Sequence, residues 1–142
     1  MTQLTIFDPE VAYDATDDKA VNDITALVRQ GISFDDFSKL ASTSAFSSSE
    51  WSEFLLSSKR TMQRYHKEQK SFDSLQSEKI IEIALLQKRG VEVFGSKSKF
   101  QNWLETPCLA LGDVVPKSFL DSSFGIMLLK DQLTRIEYGI LA

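Results

Sequence analysis

The chain has 142 residues, 42% of them apolar and 25% charged, and a net charge of −4; this balance suits one folded domain, or two small helical units sharing a core, and excludes a disordered chain. No apolar run approaches the roughly 18–20 residues that span a bilayer, and the opening MTQLTIFDPE lacks the basic end and apolar stretch of a signal peptide. The single cysteine, Cys108, excludes an internal disulfide, so the composition predicts a cytoplasmic protein with no membrane partner.

Residues 1–18 are acidic and read as a tail, with Pro9 and no hydrophobic period. From Lys19 the apolar residues Val21, Ile24, Leu27 and Val28 fall on one face of a short helix that Gly31 ends. Ser33 is placed to cap a second helix with Phe34, Phe37, Leu40 and Ala41 inward. Ser47, followed three residues later by Glu50, reads as a capping box for a third, with Trp51, Phe54 and Leu55 on its buried face. Ser57 and Ser58 break that helix, and Ser58 caps the next one.

The segment SSKRTMQRYHK is the most basic in the chain. Residues 1–50 carry 3 basic and 9 acidic side chains (−6), residues 51–90 carry 8 and 5 (+3), and residues 91–142 carry 5 and 6 (−1). A basic block inside an acidic chain is the electrostatic footprint of a nucleic-acid site. Met62 and Tyr65 face inward, while Arg60, Arg64 and Lys67, spaced i, i+4, i+7, share the opposite face. Two short helices joined by a tight polar turn, the second basic outside, are the pattern of a helix-turn-helix.

A polar connection from Ser71 to Ser74 leads into EKIIEIALLQKRGVEVFG, whose crowded Ile80, Ile81, Ile83, Ala84, Leu85 and Leu86 predict a helix buried on more than one side and stopped by Gly95. SKSKFQNWLETP reads as a short helix with Phe100, Trp103 and Leu104 inward and Pro107 closing it; CLALGDVV reads as a loop. Pro116 suits the first position of a short turn or helix. A last helix runs from about Ser123 to Tyr138, with Ile126, Leu129, Leu133 and Ile136 on one face and Gly139 past its end. No segment alternates with period 2, so the predicted fold is all-α: an N-terminal helix-turn-helix unit at 19–73 and a C-terminal helical domain at 74–142.

Several pieces together resemble the Xre/MbcA/ParS family of antitoxins, the partners of RES-domain toxins: VFG at 93–95, WL at 103–104, LGDVVPKSFLDSSFG at 111–125 and LTRIEYG at 133–139. The order and spacing of the pieces carry the specificity. The resemblance reaches upstream through SSKRTMQR and covers roughly residues 20–142. The chain departs from the family pattern at Asp113, where a second glycine is common, at Tyr65, where a second arginine is common, and at Cys108, near a family asparagine. The resemblance implies that the N-terminal helix-turn-helix binds the operator of its own promoter, and that the C-terminal domain binds and blocks a RES-type toxin that destroys NAD⁺. It also implies that the antitoxin's C-terminal end lies at or near the toxin's active-site cleft.

Two sets of site residues follow. On the basic helix, Arg60 and Arg64 are expected at base edges, because the guanidinium fork donates two hydrogen bonds to guanine. Lys59, Thr61 and Lys67 are expected at phosphates, with Ser58 as the cap. One such helix binds weakly, and specific affinity usually needs two half-sites, so a homodimer or larger assembly is expected. At the other end, Arg135 and Glu137 are expected to pair across a toxin surface. Tyr138 fills a pocket there, and Gly139, Ile140, Leu141 and Ala142 continue the contact; left to the residues alone, the apolar end folds back onto its own core just as readily.

His66 reads as a surface or phosphate-contacting residue, Cys108 as an inert thiol, and Trp51 and Trp103 as core. There is no Gly-rich phosphate loop, nucleophile elbow or metal motif, so the chain is not expected to be an enzyme or to carry a cofactor. Two other readings of the residues stand beside the antitoxin: a stand-alone transcriptional regulator whose C-terminal domain dimerises, and a protein-interaction module with a vestigial helix-turn-helix.

Overall fold

A computed structural model describes residues 18–139 of the chain. The acidic stretch at 1–17, and Ile140, Leu141 and Ala142 at the other end, lie outside the described residues. Among the described residues seven α-helices follow one another: α1 (Asp18–Gln30), α2 (Phe34–Ser42), α3 (Ser48–Phe54), α4 (Lys59–Glu68), α5 (Ser74–Phe94), α6 (Lys97–Glu105) and α7 (Ser123–Glu137). Two 3-10 turns, Leu109–Leu111 and Pro116–Phe119, join α6 to α7, and no strand occurs among the described residues. The fold is all-α, as its periodicity predicts.

Side-chain caps set where the helices begin. The hydroxyls of Ser33, Ser47, Ser58, Ser96 and Ser122 and the carboxylate of Asp73 each accept the N–H three residues on, starting α2, α3, α4, α6, α7 and α5 respectively. Each such cap contributes about 1 kcal/mol. At α3 the full capping box forms, with Glu50 accepting back from the Ser47 N–H at 2.9 Å. Pro116 occupies the first position of its 3-10 turn.

The 21-residue α5 is the shared spine, packed against α1, α6 and α7. Ile80, Ile81, Ile83 and Leu86 are buried on it, and Ala84 and Leu85 pack partly against the same core. Leu129, Leu133 and Ile126 of α7 and Phe100 and Leu104 of α6 close over α5 with no exposed surface. On the N-terminal side a second set of rings interlocks: Phe37 meets Trp51 and Phe72 edge-on at 5.2 and 5.1 Å, and Phe46 meets Phe54 at 5.1 Å. Edge-to-face pairs of this kind stabilise by about 0.5–1.5 kcal/mol beyond their burial.

The connection at 71–74 differs from its polar reading. Phe72 is only 2% exposed and sits among those rings. A lone aromatic between Ser71 and Asp73 shows no period. It is buried because the backbone on both sides pairs with the α1–α2 turn: Phe72 N–H donates to Ile32 O at 2.8 Å, and Phe34 N–H donates to Lys70 O at 3.0 Å. Ser77, fully buried on α5, completes the seam by accepting the Ile32 N–H at 2.9 Å and donating to Phe72 O at 3.3 Å. Gly31 at φ +89° is required here, since a Cβ would lie 2.6 Å from the Phe72 carbonyl oxygen.

Gly90 has a different reason. It is a helical glycine on α5, and a Cβ there would fall 2.2 Å from the Phe100 ring. The missing side chain lets α6 lie directly on the α5 backbone. The stretch read as a plain loop, CLALGDVV, is ordered by its own hydrogen bonds: Cys108 N–H donates to Val114 O at 3.1 Å around the Leu109–Leu111 turn. Asp113 adopts φ +63° there, a left-handed conformation that a glycine would adopt at no steric cost.

Candidate functional site

α3 and α4 pack on each other through Trp51, Phe54, Leu55 and Met62, all buried. Residues 55–58 make the turn between them, with Leu56 left-handed at φ +52° and pointing into solvent. Ser58 accepts the Thr61 N–H at 3.0 Å and donates its own hydroxyl to Thr61 Oγ1 at 2.9 Å. Thr61 is thereby fixed with its hydroxyl hydrogen still available to an acceptor in front of the helix.

Lys59, Arg60, Arg64 and Lys67 are all exposed on α4. Among the described residues none of the four has an acidic partner within ion-pair distance, whereas Lys70 just beyond the helix pairs with Glu68 at 3.4 Å. Arg64 leans over the Tyr65 ring, 5.8 Å from its centre. The helix thus presents four cations and one hydroxyl at an exposed start and outer face, the arrangement that neutralises phosphates and reaches base edges.

His66 stacks on Phe34 at 5.0 Å between ring centres, on the flank facing α2. Beside it a cleft between α2, the start of α3 and α4 is lined by Ser38, Ser42, Ser48, Lys59, Gln63 and His66 among others. The sequence reading gave Ser38, Ser42 and Ser48 no role. These side chains border the basic helix and add hydroxyls beside Lys59. The spacing of Ser38 and Ser42, one helical turn apart, is the signal that marks them as co-facial.

The second surface is on α7. Ile126, Leu129 and Leu133 are buried, and the opposite side carries Phe124, Met127, Asp131, Arg135 and Tyr138, all exposed. Phe124 and Tyr138 are 69% and 71% exposed, so the apolar content of that side reaches well beyond the chain end. Phe124 and Met127 were not singled out by sequence because attention fell on the buried stripe; they lie three apart and opposite to it. Glu137, expected at a toxin surface, has a partner within the chain. Its carboxylate is ion-paired with Arg89 of α5, which ties the end of α7 to α5. Gly139 turns the chain at φ +69°.

A third group joins the two halves. Lys117, in the second 3-10 turn, reaches Glu50 of α3 at 2.7 Å and Glu105 of α6 at 3.0 Å. Burial alone would push the Glu50 carboxyl up, but hydrogen bonds from Lys117 and Ser47 hold it below its ordinary value. Burial alone would pull the Lys117 ammonium down, but Glu50 and Glu105 hold it above. Glu82 on α5 lies in the opposite regime: burial raises its carboxyl, and Lys130 only partly offsets that.

Among the described residues no group of His, Cys, Asp and Glu is placed to hold a metal, and no helix is long and apolar enough to cross a membrane.

Comparison with known proteins adds identity to this geometry. Residues 23–85 match the model of the antitoxin Xre-like helix-turn-helix domain. Residues 89–139 match that of the antitoxin Xre/MbcA/ParS C-terminal toxin-binding domain. The chain is 32% identical over 72 residues to antitoxin Xre of Photorhabdus laumondii subsp. laumondii, covering 50% of this chain and 49% of that protein. It is 29% identical over 84 residues to antitoxin Xre of Yersinia enterocolitica, covering 58% and 57%. The chain spans about half the length of the curated relatives it matches. With both domain models matched in sequence order and an all-helical fold beneath them, the chain belongs to the Xre/MbcA/ParS family of antitoxins.

Proposed function

We propose that the chain is the antitoxin of a type II toxin–antitoxin pair, acting in the cytoplasm, which blocks a RES-type NAD-degrading toxin and represses its own operon through α3 and α4. The observation that carries the DNA half is the exposed set Lys59, Arg60, Arg64 and Lys67, held on one helix without acidic partners among the described residues. Arg60 and Arg64 read base edges; Lys59, Thr61 and Lys67, with the hydroxyls of the neighbouring cleft, grip phosphates. The chain works as a homodimer or larger assembly that reads two half-sites. By contacts, residues 19–73 serve DNA and residues 74–142 serve the toxin, although both lean on α5.

The toxin half is supported by the outward row on α7 and the exposed Tyr138, leading to Ile140, Leu141 and Ala142. An aromatic flanked by a charge, such as Tyr138 with Arg135, is a common interface anchor. Two measurements test the pair of roles. In a band-shift titration with the operon's upstream DNA, Arg60→Ala with Arg64→Ala abolishes specific binding; unchanged affinity and salt slope reject the assignment. Deleting Tyr138–Ala142 leaves DNA binding intact and removes protection from the toxin. A truncated chain that still protects cells rejects the toxin role, and failure to co-purify with a RES-domain protein favours a stand-alone regulator.

A further inference from the structure

We propose that Lys117 is a positioning residue for DNA binding: reaching from the C-terminal half, it holds the start of the helix-turn-helix through Glu50, so that grip on DNA depends on how the C-terminal half is packed. This rests on the reading of α3 and α4 as the DNA-binding unit.

The two oxygens of Glu50 have separate tasks. Oε1 accepts the Ser47 N–H at 2.9 Å and closes the capping box of α3, while Oε2 meets Lys117 Nζ at 2.7 Å. Lys117 is therefore one bond removed from the cap that starts the helix. α3 has only seven residues, far too few to be stable by itself, and its start relies on such ties. The ion pair is sheltered, with 20% and 26% of the two side chains exposed, so water competes less than at an open surface.

The other end of the tie is firm. Pro116 and Leu120 bury the turn that carries Lys117, and Lys79 Nζ of α5 donates to Asp121 O at 2.7 Å just beyond it. Glu105 is the second carboxylate on Lys117, at 3.0 Å, and stands in the last turn of α6. A carboxylate there faces the negative end of the helix dipole, and Lys117 offsets that repulsion. One cation thus serves a helix start in the N-terminal half and a helix end in the C-terminal half. A toxin that shifts α6 or the 116–119 turn changes the hold on α3, and DNA that fixes α3 changes the C-terminal half by the same coupling free energy.

The test uses the full chain and the operon's upstream DNA, measured by fluorescence anisotropy over a salt series. Lys117→Met lowers affinity by about fivefold while leaving the slope of log K against log salt unchanged, because Lys117 touches no phosphate. Lys117→Arg restores affinity. Without DNA, amide exchange at Glu50 and Trp51 speeds up in Lys117→Met and recovers in Lys117→Arg. Wild-type affinity and wild-type exchange in Lys117→Met overturn the proposal, as does a reduced salt slope, which makes Lys117 a direct phosphate contact. Absence of any DNA binding by the wild-type chain overturns the DNA reading instead, and the exchange measurement still decides whether Lys117 holds α3.

Discussion

Gly90→Ala is the most discriminating substitution in the chain, because two principles give it opposite signs. Alanine in place of glycine within a helix ordinarily stabilises by roughly 0.8–1 kcal/mol. At residue 90 the new methyl group would stand 2.2, 2.3 and 2.5 Å from three carbons of the Phe100 ring. Ordinary contact begins near 3.4 Å, so the ring must retreat by about 1 Å. It has no room to do so: Phe100 is 0% exposed and lies between Phe94 and Trp103, with ring centres 6.1 and 6.0 Å away. Overpacking of a full core costs about 1–3 kcal/mol. Set against the helix gain, the net loss is roughly 0–2 kcal/mol, and the melting temperature falls by up to about 8 °C in a chain of this length. Thermal denaturation by circular dichroism reads the sign directly, and Gly90→Ala with Phe100→Leu should recover much of the loss. A single Gly90→Ala variant that melts higher than wild type refutes the packing argument, since only helix propensity would then be acting.

Ser77→Ala removes the acceptor of the Ile32 N–H and the donor to Phe72 O in a fully buried seam, and costs about 1–3 kcal/mol in urea denaturation. Lys59→Ala with Lys67→Ala lowers the salt slope of DNA binding by roughly 1.8 per protomer, close to 0.9 for each phosphate released. Glu82 has a raised folded pKa, so its protonated form is favoured by folding and stability falls as pH rises above 4.5; Glu82→Gln removes that penalty and raises the melting temperature at neutral pH. The lowered Glu50 carboxyl and raised Lys117 ammonium work the other way. Their tie contributes above pH 4.5 and is lost as pH falls through the folded value of Glu50; at the alkaline end it is lost as pH rises beyond 10.5, which melting curves on Lys117→Met against wild type will resolve.

The helical architecture was largely legible because its signals are local. Ser33, Ser47 and Ser58 each precede their helix by one residue, and the i, i+3, i+4 spacing of Trp51, Phe54 and Leu55 reports its buried side directly. What escaped depended on contacts far apart in sequence. Phe72 is buried through pairing with a turn forty residues upstream, and Lys88, only 3% exposed on α5, was not singled out at all. The basic side of α4 was readable from its period, and the structure leaves it exposed as that period requires. The ion pair of Glu137 was not foreseen because Arg89, its partner, belongs to another helix nearly fifty residues away. Lys117 gave no hint at all: a lone lysine after a proline acquires meaning only when Glu50 and Glu105 converge on it.

The length of α5 has a physiological corollary. It packs against α1 on one side and receives α6 and α7 on the other, so neither half keeps a complete interior once this rod is severed. A cellular protease that clips anywhere along residues 74–94 would expose both interiors in one event. If the chain acts as proposed, promoter occupancy and toxin restraint would then lapse together, and a single cut would both free the poison and reopen the gene that replenishes its antidote.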